Sequence, residues 1–198
     1  MKFVYKGKMR SMEELPKGTL PENAVKFKEP ENMVQMNIMA SLFVLPIIIV
    51  ICLFVVFKSV LRGNETMVHT NLWGVLLAFL CIVPHEFLHA ICFPKGAEVE
   101  MYYTLKGMAA FVVSTYPVTK LRFIMLSLCP SIVLGILPLI LWLLVPSTFA
   151  FSQVLFSFGA FSLLFGCGDL MNVFNALKQM PKGSYQQLSG FNSYWFMP

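Results

Sequence analysis

Between Phe123 and Gly168 the chain runs for 46 residues without an Asp, Glu, Lys, Arg or His. A soluble domain of 198 residues cannot hide such a stretch, because its outward-facing positions need polar side chains at regular intervals. A bilayer accepts it, since about 20 apolar residues cross the hydrocarbon core as one helix. The stretch is long enough for two crossings, and Pro146-Ser147-Thr148 supplies the turn between them. Two further apolar runs precede it. The run 34–57 carries no charge, and the run 72–93 carries Glu86 as its one formal charge. Composition agrees, with 57% apolar and only 13% charged residues, about half the charge of a soluble domain. Secreted disulfide scaffolds, disordered tails and nucleic-acid binders are set aside on the same grounds.

The expectation is an all-α membrane protein with four transmembrane helices at about 34–57, 72–93, 123–145 and 149–177. Pro46 kinks the first. The 97–119 stretch, rich in β-branched and aromatic residues with Gly107 near its middle, reads as a β-hairpin or ribbon between the second and third helices. Residues 1–33 form a polar N-terminal segment, with room for a short strand near Phe3–Tyr5. Residues 34–180 form the membrane domain, and 181–198 a tail whose aromatics suit the interface. The N-terminal segment is not a cleavable signal peptide, because the first apolar run starts too late and runs too long.

The net charge of +5 is an orientation signal. With four spans, the N-terminus, the ribbon and the C-terminus share one side and hold 13 of the 15 Lys and Arg, leaving Lys58 and Arg62 opposite. The positive-inside rule makes that side, with both termini, cytoplasmic. Anionic lipid accounts for the basic residues without a nucleic-acid partner. All five cysteines fall in expected spans and read as small packing residues.

Against this background the chain has only three histidines and one aspartate. Two of the histidines belong to His85-Glu86-Phe87-Leu88-His89, an H-E-x-x-H sequence inside the second span. Residues four apart on a helix lie nearly above one another, so both imidazoles can reach one zinc ion. Glu86, offset by about 100°, stands where a carboxylate can take a proton from water at the metal. A pair of histidines satisfied by interhelical hydrogen bonds is the structural alternative.

A catalytic zinc site uses a third protein ligand and keeps one position open. His69 lies 16 residues before His85, about 24 Å along a helix. Glu98 and Glu100 belong to the ribbon. Asp169 is the only other acid inside a span. Phe87, at the motif centre, precedes Lys95 by eight residues and Asp169 precedes Lys178 by nine, which places both about 12–14 Å from the same ends of their helices. A structural polar contact is the alternative for Asp169.

These residues and their order resemble the site-2 protease group of intramembrane zinc metalloproteases. More closely, the chain is similar to a compact bacterial family of putative zincin peptidases with four spans, a domain of unknown function. The resemblance runs over about 20–195 and rests on Pro84–Ala90, the ribbon and Gly168-Asp169-Leu170-Met171-Asn172. It implies His85, His89 and Asp169 as metal ligands, Glu86 as general base, one Zn2+, and a bacterial plasma-membrane location. The pattern departs from site-2 proteases at Leu88, where Gly is common, and at Gly168-Asp169-Leu170 in place of Leu-Asp-Gly.

Weaker candidates surround these. Asn172 and Asn175 could hold substrate backbone or orient a ligand, and interhelical bonding is the equal alternative. Pro130 either opens the third span beside the site or simply kinks it. Cys81 and Cys92 share the histidine stripe. Gly159, Gly166 and Gly168 suit close helix packing. The functional expectation is a zinc-dependent intramembrane peptidase acting on membrane proteins or peptides near the cytoplasmic side. A catalytically inactive zinc protein that holds client helices, or a small metal transporter, stands as the alternative.

Overall fold

The structure, a computed structural model, describes residues 1–63, 68–104 and 109–198. The ribbon turn expected at Gly107 lies outside the described residues. In chain order the elements are β1 (Lys2–Lys8), β2 (Val25–Lys26), α1 (Met33–Ser41), α2 (Val44–Arg62), α3 (Leu72–Leu80) and α4 (Ile82–Ile91). Then come β3 (Glu98–Thr104), β4 (Ala109–Val113), β5 (Val118–Thr119) and α5 (Lys120–Pro130). A π-helical segment, Ser131–Ile136, joins α5 to α6 (Leu137–Leu144). The chain ends with α7 (Ser152–Phe165), α8 (Cys167–Gln179), β6 (Tyr185–Ser189) and β7 (Asn192–Phe196).

The fold is mostly helical, but it is not all-α. Two small sheets, ordered β1-β3-β4 and β2-β7-β6-β5, gather the N-terminal segment, the ribbon and the C-terminal tail. The ribbon is present as the antiparallel pair β3–β4, with Glu100 opposite Val113 and Thr104 opposite Ala109. Its other edge is taken by β1, which runs parallel to β3 and is held by Lys2–Glu98 and Lys6–Glu100 ion pairs at 2.9 and 3.0 Å. The tail is a hairpin, not a free aromatic end. It is paired to β2 and β5, which are only two residues each. Such short strands have no periodicity of their own and exist only through partners distant in sequence. Connectivity places all the strands at one end of the helices: β2 leads into α1, β3 leaves α4, β5 leads into α5 and β6 leaves α8.

Among the described residues two helices are long and apolar enough to cross a membrane, Met33–Arg62 and Lys120–Leu144. Two bent pairs raise the number to four if each counts as one span: α3–α4, bent by 46°, and α7–α8, bent by 49°. The breaks have identifiable causes. Proline lacks an amide hydrogen, and its ring crowds the carbonyl four residues upstream. Pro46 disturbs Leu42, where α1 gives way to α2, and Pro84 disturbs Leu80, the last residue of α3. The α7–α8 bend falls at Gly166, where an added Cβ would run into the Ser131 hydroxyl.

Small residues let the helices close. A Cβ on Gly74 of α3 would lie 2.5 Å from the Val154 carbonyl of α7, and one on Gly159 would lie 2.8 Å from the Gly135 carbonyl. Around these contacts Ile47, Leu139, Trp142, Phe156 and Leu163 form a buried core. The outer face of α2 stays apolar and exposed at Leu45, Leu53, Val56 and Val60. Lys58 is fully buried and donates to the Trp142 and Val145 carbonyls at 2.6 and 3.1 Å, while Arg62 donates to Leu144 at 2.8 Å. The two basic residues outside the main basic group thus cap the C-terminal carbonyls of α6, where positive charge is favoured.

Gly168 differs from the other helical glycines: nothing approaches its absent Cβ within 4 Å, so the close-packing expectation does not hold there. Gly74→Ala should therefore destabilise the protein by about 1–3 kcal/mol, because the obstacle is backbone. Gly168→Ala should leave stability unchanged or raise it by up to about 1 kcal/mol. Thermal unfolding of the two variants in detergent reads the difference in sign.

Candidate metal centre

The bend at Cys81 sets α4 off as a short helix that carries the whole H-E-x-x-H sequence. His85 and His89 sit one turn apart on it, with ring centroids 4.9 Å apart. The bend at Gly166 does the same for α8 and puts Asp169 in its first turn, where the helix dipole favours a carboxylate. The two short helices converge against α5. His85 Nε2 lies 3.0 Å from Asp169 Oδ2, and His89 Nε2 lies 3.1 Å from Asp169 Oδ1. One ligand atom from each of the three residues falls within 4.8 Å of the other two.

The surroundings fix which atoms point inward. His89 Nδ1 is 2.7 Å from the Leu126 carbonyl. A carbonyl only accepts, so Nδ1 carries a hydrogen, and Nε2 is the ring nitrogen turned toward the carboxylate. Two imidazole nitrogens and one carboxylate oxygen are a donor set that suits zinc. Zinc ligands at about 2.0–2.1 Å in tetrahedral array stand about 3.3 Å from one another, within a few tenths of the two His–Asp separations here, and all three ligand atoms lie within 4.8 Å of one another. The residues therefore fit a divalent metal, and zinc fits the donor types.

Glu86 sits beside this cluster, buried at 8% exposure. The backbone amide of Val112, on β4, interacts with its carboxyl. In the order β1-β3-β4 the strand β4 is an edge strand, as β1 is on the other side, and its Val112 amide meets Glu86. Neither Val112 nor Leu126 was expected at the site. A backbone group leaves no mark in its own side chain, although Pro130, four residues after Leu126, is a signal for that carbonyl.

The other candidates go elsewhere. His69 is exposed, and its amide bonds Gln153. Glu98 pairs with Lys2. Glu100 is shared by Lys6 and the Tyr102 hydroxyl, which burial and the Glu100 carboxylate push up to about 12, so it remains a donor. Among the described residues no cysteine joins the cluster, and Cys81 marks the α3–α4 break instead. Asn175 accepts from Gln179, which in turn holds the Lys28 backbone, so its side chain ties the N-terminal segment to α8. Asn172 is half-buried on α8 with no hydrogen-bond partner for its side chain among the described residues. Pro130 is buried in the segment that supplies Leu126.

Residues 78–185 match the family described as putative zincin peptidase. The match covers 108 of the 198 residues, and the chain belongs to that family. The matched stretch contains α4, the ribbon, α5 to α8 and every residue of the cluster. Comparisons with curated proteins and with solved structures give no match. Family membership supports a zinc metallopeptidase, and the cluster is a fitting place for the metal.

The purified protein should therefore carry about one zinc per chain, and His85→Ala, His89→Ala and Asp169→Ala should each lose it after dialysis. Elemental analysis of wild type and the three variants checks this.

Proposed function

We propose that this zincin-family chain is an intramembrane zinc peptidase that hydrolyses peptide bonds of membrane proteins or membrane-bound peptides near the cytoplasmic face. The observation that carries the proposal is the position of Glu86. It is a buried carboxylate with no cationic partner among the described residues except the neighbouring histidines, and it lies between a metal cluster and an open strand edge. A structural zinc site has no use for such a group.

Four apolar segments, counting each bent pair as one, support the membrane reading. The order of parts supports the site-2 protease likeness: an H-E-x-x-H helix, a ribbon, then a helix with Asp. The 13 basic residues on the strand-bearing side support a cytoplasmic orientation for that side and for both termini.

His85, His89 and Asp169 would hold the ion. Zinc held there supplies Lewis acidity, polarising a carbonyl and making water a stronger nucleophile at neutral pH. Glu86 takes the proton of the attacking water and returns it to the leaving amine. A helical substrate hides its scissile carbonyl in its own hydrogen bonds, so it must be unwound first. The free edge of β4 offers an extended chain new backbone partners beside Glu86. Asn172, half-buried and unpaired, is available to a substrate amide.

Glu86→Gln keeps the shape and the metal ligands but removes the base. Cleavage of a membrane peptide in detergent or liposomes should fall by about 10²–10⁴-fold while zinc content stays at the wild-type level. Cleavage at the normal rate would sink the reading.

A further inference from the structure

We infer that Pro130 is a positioning residue for the metal centre: by withholding a backbone hydrogen, it leaves the Leu126 carbonyl free to hold His89 in the orientation and tautomer that a metal requires. The inference rests on the metal-site reading above. It adds a third helix, α5, to the two that carry the ligands.

In a regular α-helix the amide of residue 130 would bond the carbonyl of residue 126. Proline has no amide hydrogen to give. The next donor does not fill the gap, because the Ser131 amide turns to the Leu128 carbonyl. The helix then widens into the π-helical segment, with the Leu137 amide reaching Ile132. The Leu126 carbonyl is thus left without a backbone donor in a buried position. An orphan carbonyl is poorly tolerated among apolar helices. Here it is satisfied by a side chain: His89 Nδ1 donates to it at 2.7 Å.

The arrangement serves the ring as well as the backbone. An imidazole that binds a metal through one nitrogen is held by a hydrogen bond from the other. With Nδ1 committed to Leu126, His89 Nε2 is the nitrogen left for a metal, and it faces Asp169 Oδ1 at 3.1 Å. His85 Nδ1 has no such partner among the described residues. The device acts on the second histidine of the motif alone.

The prolines at the two helix breaks highlight the difference. At Pro46 and Pro84 the disturbed carbonyls, Leu42 and Leu80, fall where the helix stops. At Pro130 the helix runs on as a single 25-residue unit, Lys120–Leu144, and the freed carbonyl is put to use.

The test compares wild type, Pro130→Ala and Pro138→Ala, all full-length in detergent. Pro138→Ala changes a proline of the same long helix near the start of α6, away from the cluster. Zinc affinity is read by chelator competition, and site geometry by the visible absorption of the cobalt-loaded protein. Restoring an amide at position 130 gives Leu126 a backbone donor and releases His89. Pro130→Ala should weaken zinc binding about 10–100-fold and shift the cobalt bands, and Pro138→Ala should do neither. Wild-type affinity and an unchanged cobalt spectrum in Pro130→Ala would overturn the inference and leave the metal site standing. Loss in Pro138→Ala equal to that in Pro130→Ala would also overturn it, as a general effect of straightening the helix. Wild type that takes up no zinc would remove the metal reading and this inference together. If Pro130→Ala does not fold, nitrogen-15 histidine spectra of zinc-loaded wild type decide. A hydrogen-bonded proton on His89 Nδ1 supports the inference, and a proton on His89 Nε2 refutes it.

Discussion

A carboxylate among apolar helices needs positive charge beside it. Asp169 has two imidazole nitrogens at 3.0 and 3.1 Å and, among the described residues, no lysine or arginine in an ion pair with it. That requirement organises the molecule. The H-E-x-x-H helix and the Asp helix approach with an imidazole nitrogen of each histidine turned toward the carboxylate, an arrangement that fits a metal ion. Burial of the cluster keeps water from screening the attraction, so the charge that binds one ion is also what draws the two helices together.

Broken helices make this approach possible. Straight membrane-length helices would carry the three ligands along parallel rods. The bends of 46° and 49° free α4 and α8 as short pieces that can be aimed. Each break lies a few residues upstream of its ligand, at Cys81 and at Gly166. The packing glycines of α3 and α7 anchor the other halves of the same broken pairs. The rigid halves carry the packing, and the aimed halves carry the chemistry.

Much of the site was legible because its residues are rare. One aspartate and three histidines in an apolar chain leave few combinations, and helical rise alone puts Phe87 and Asp169 at one depth. The four apolar segments were readable from length and charge, with ends close to those of the helices. The ribbon was readable, as was room for a strand near Phe3–Tyr5, but the joining of strands into two sheets was not. The strands β2 and β5 are two residues each, and β1 pairs in parallel with a strand some 95 residues away, a contact that no local pattern encodes. The C-terminal hairpin is a local pair, with Ser189 opposite Asn192, whose turn signal at Gly190 was passed over. Asn175 was readable as polar within a span, but its partner Gln179 and the Lys28 backbone belong to tertiary structure. The bends were only half visible. Pro84 announces one, whereas Gly166 marks the other only through the space a Cβ there would take from Ser131, which depends on how α7 meets the π-helical segment.

The central claim is that one ion is shared by His85, His89 and Asp169 across two broken helices. X-ray absorption at the zinc edge of the purified full-length protein tests it most directly. The account predicts a single shell of nitrogen and oxygen at about 2.0–2.1 Å with the scattering of two imidazoles and no sulfur. A sulfur shell at about 2.3 Å, which would bring in one of the five cysteines, or a shell without imidazole, would contradict it.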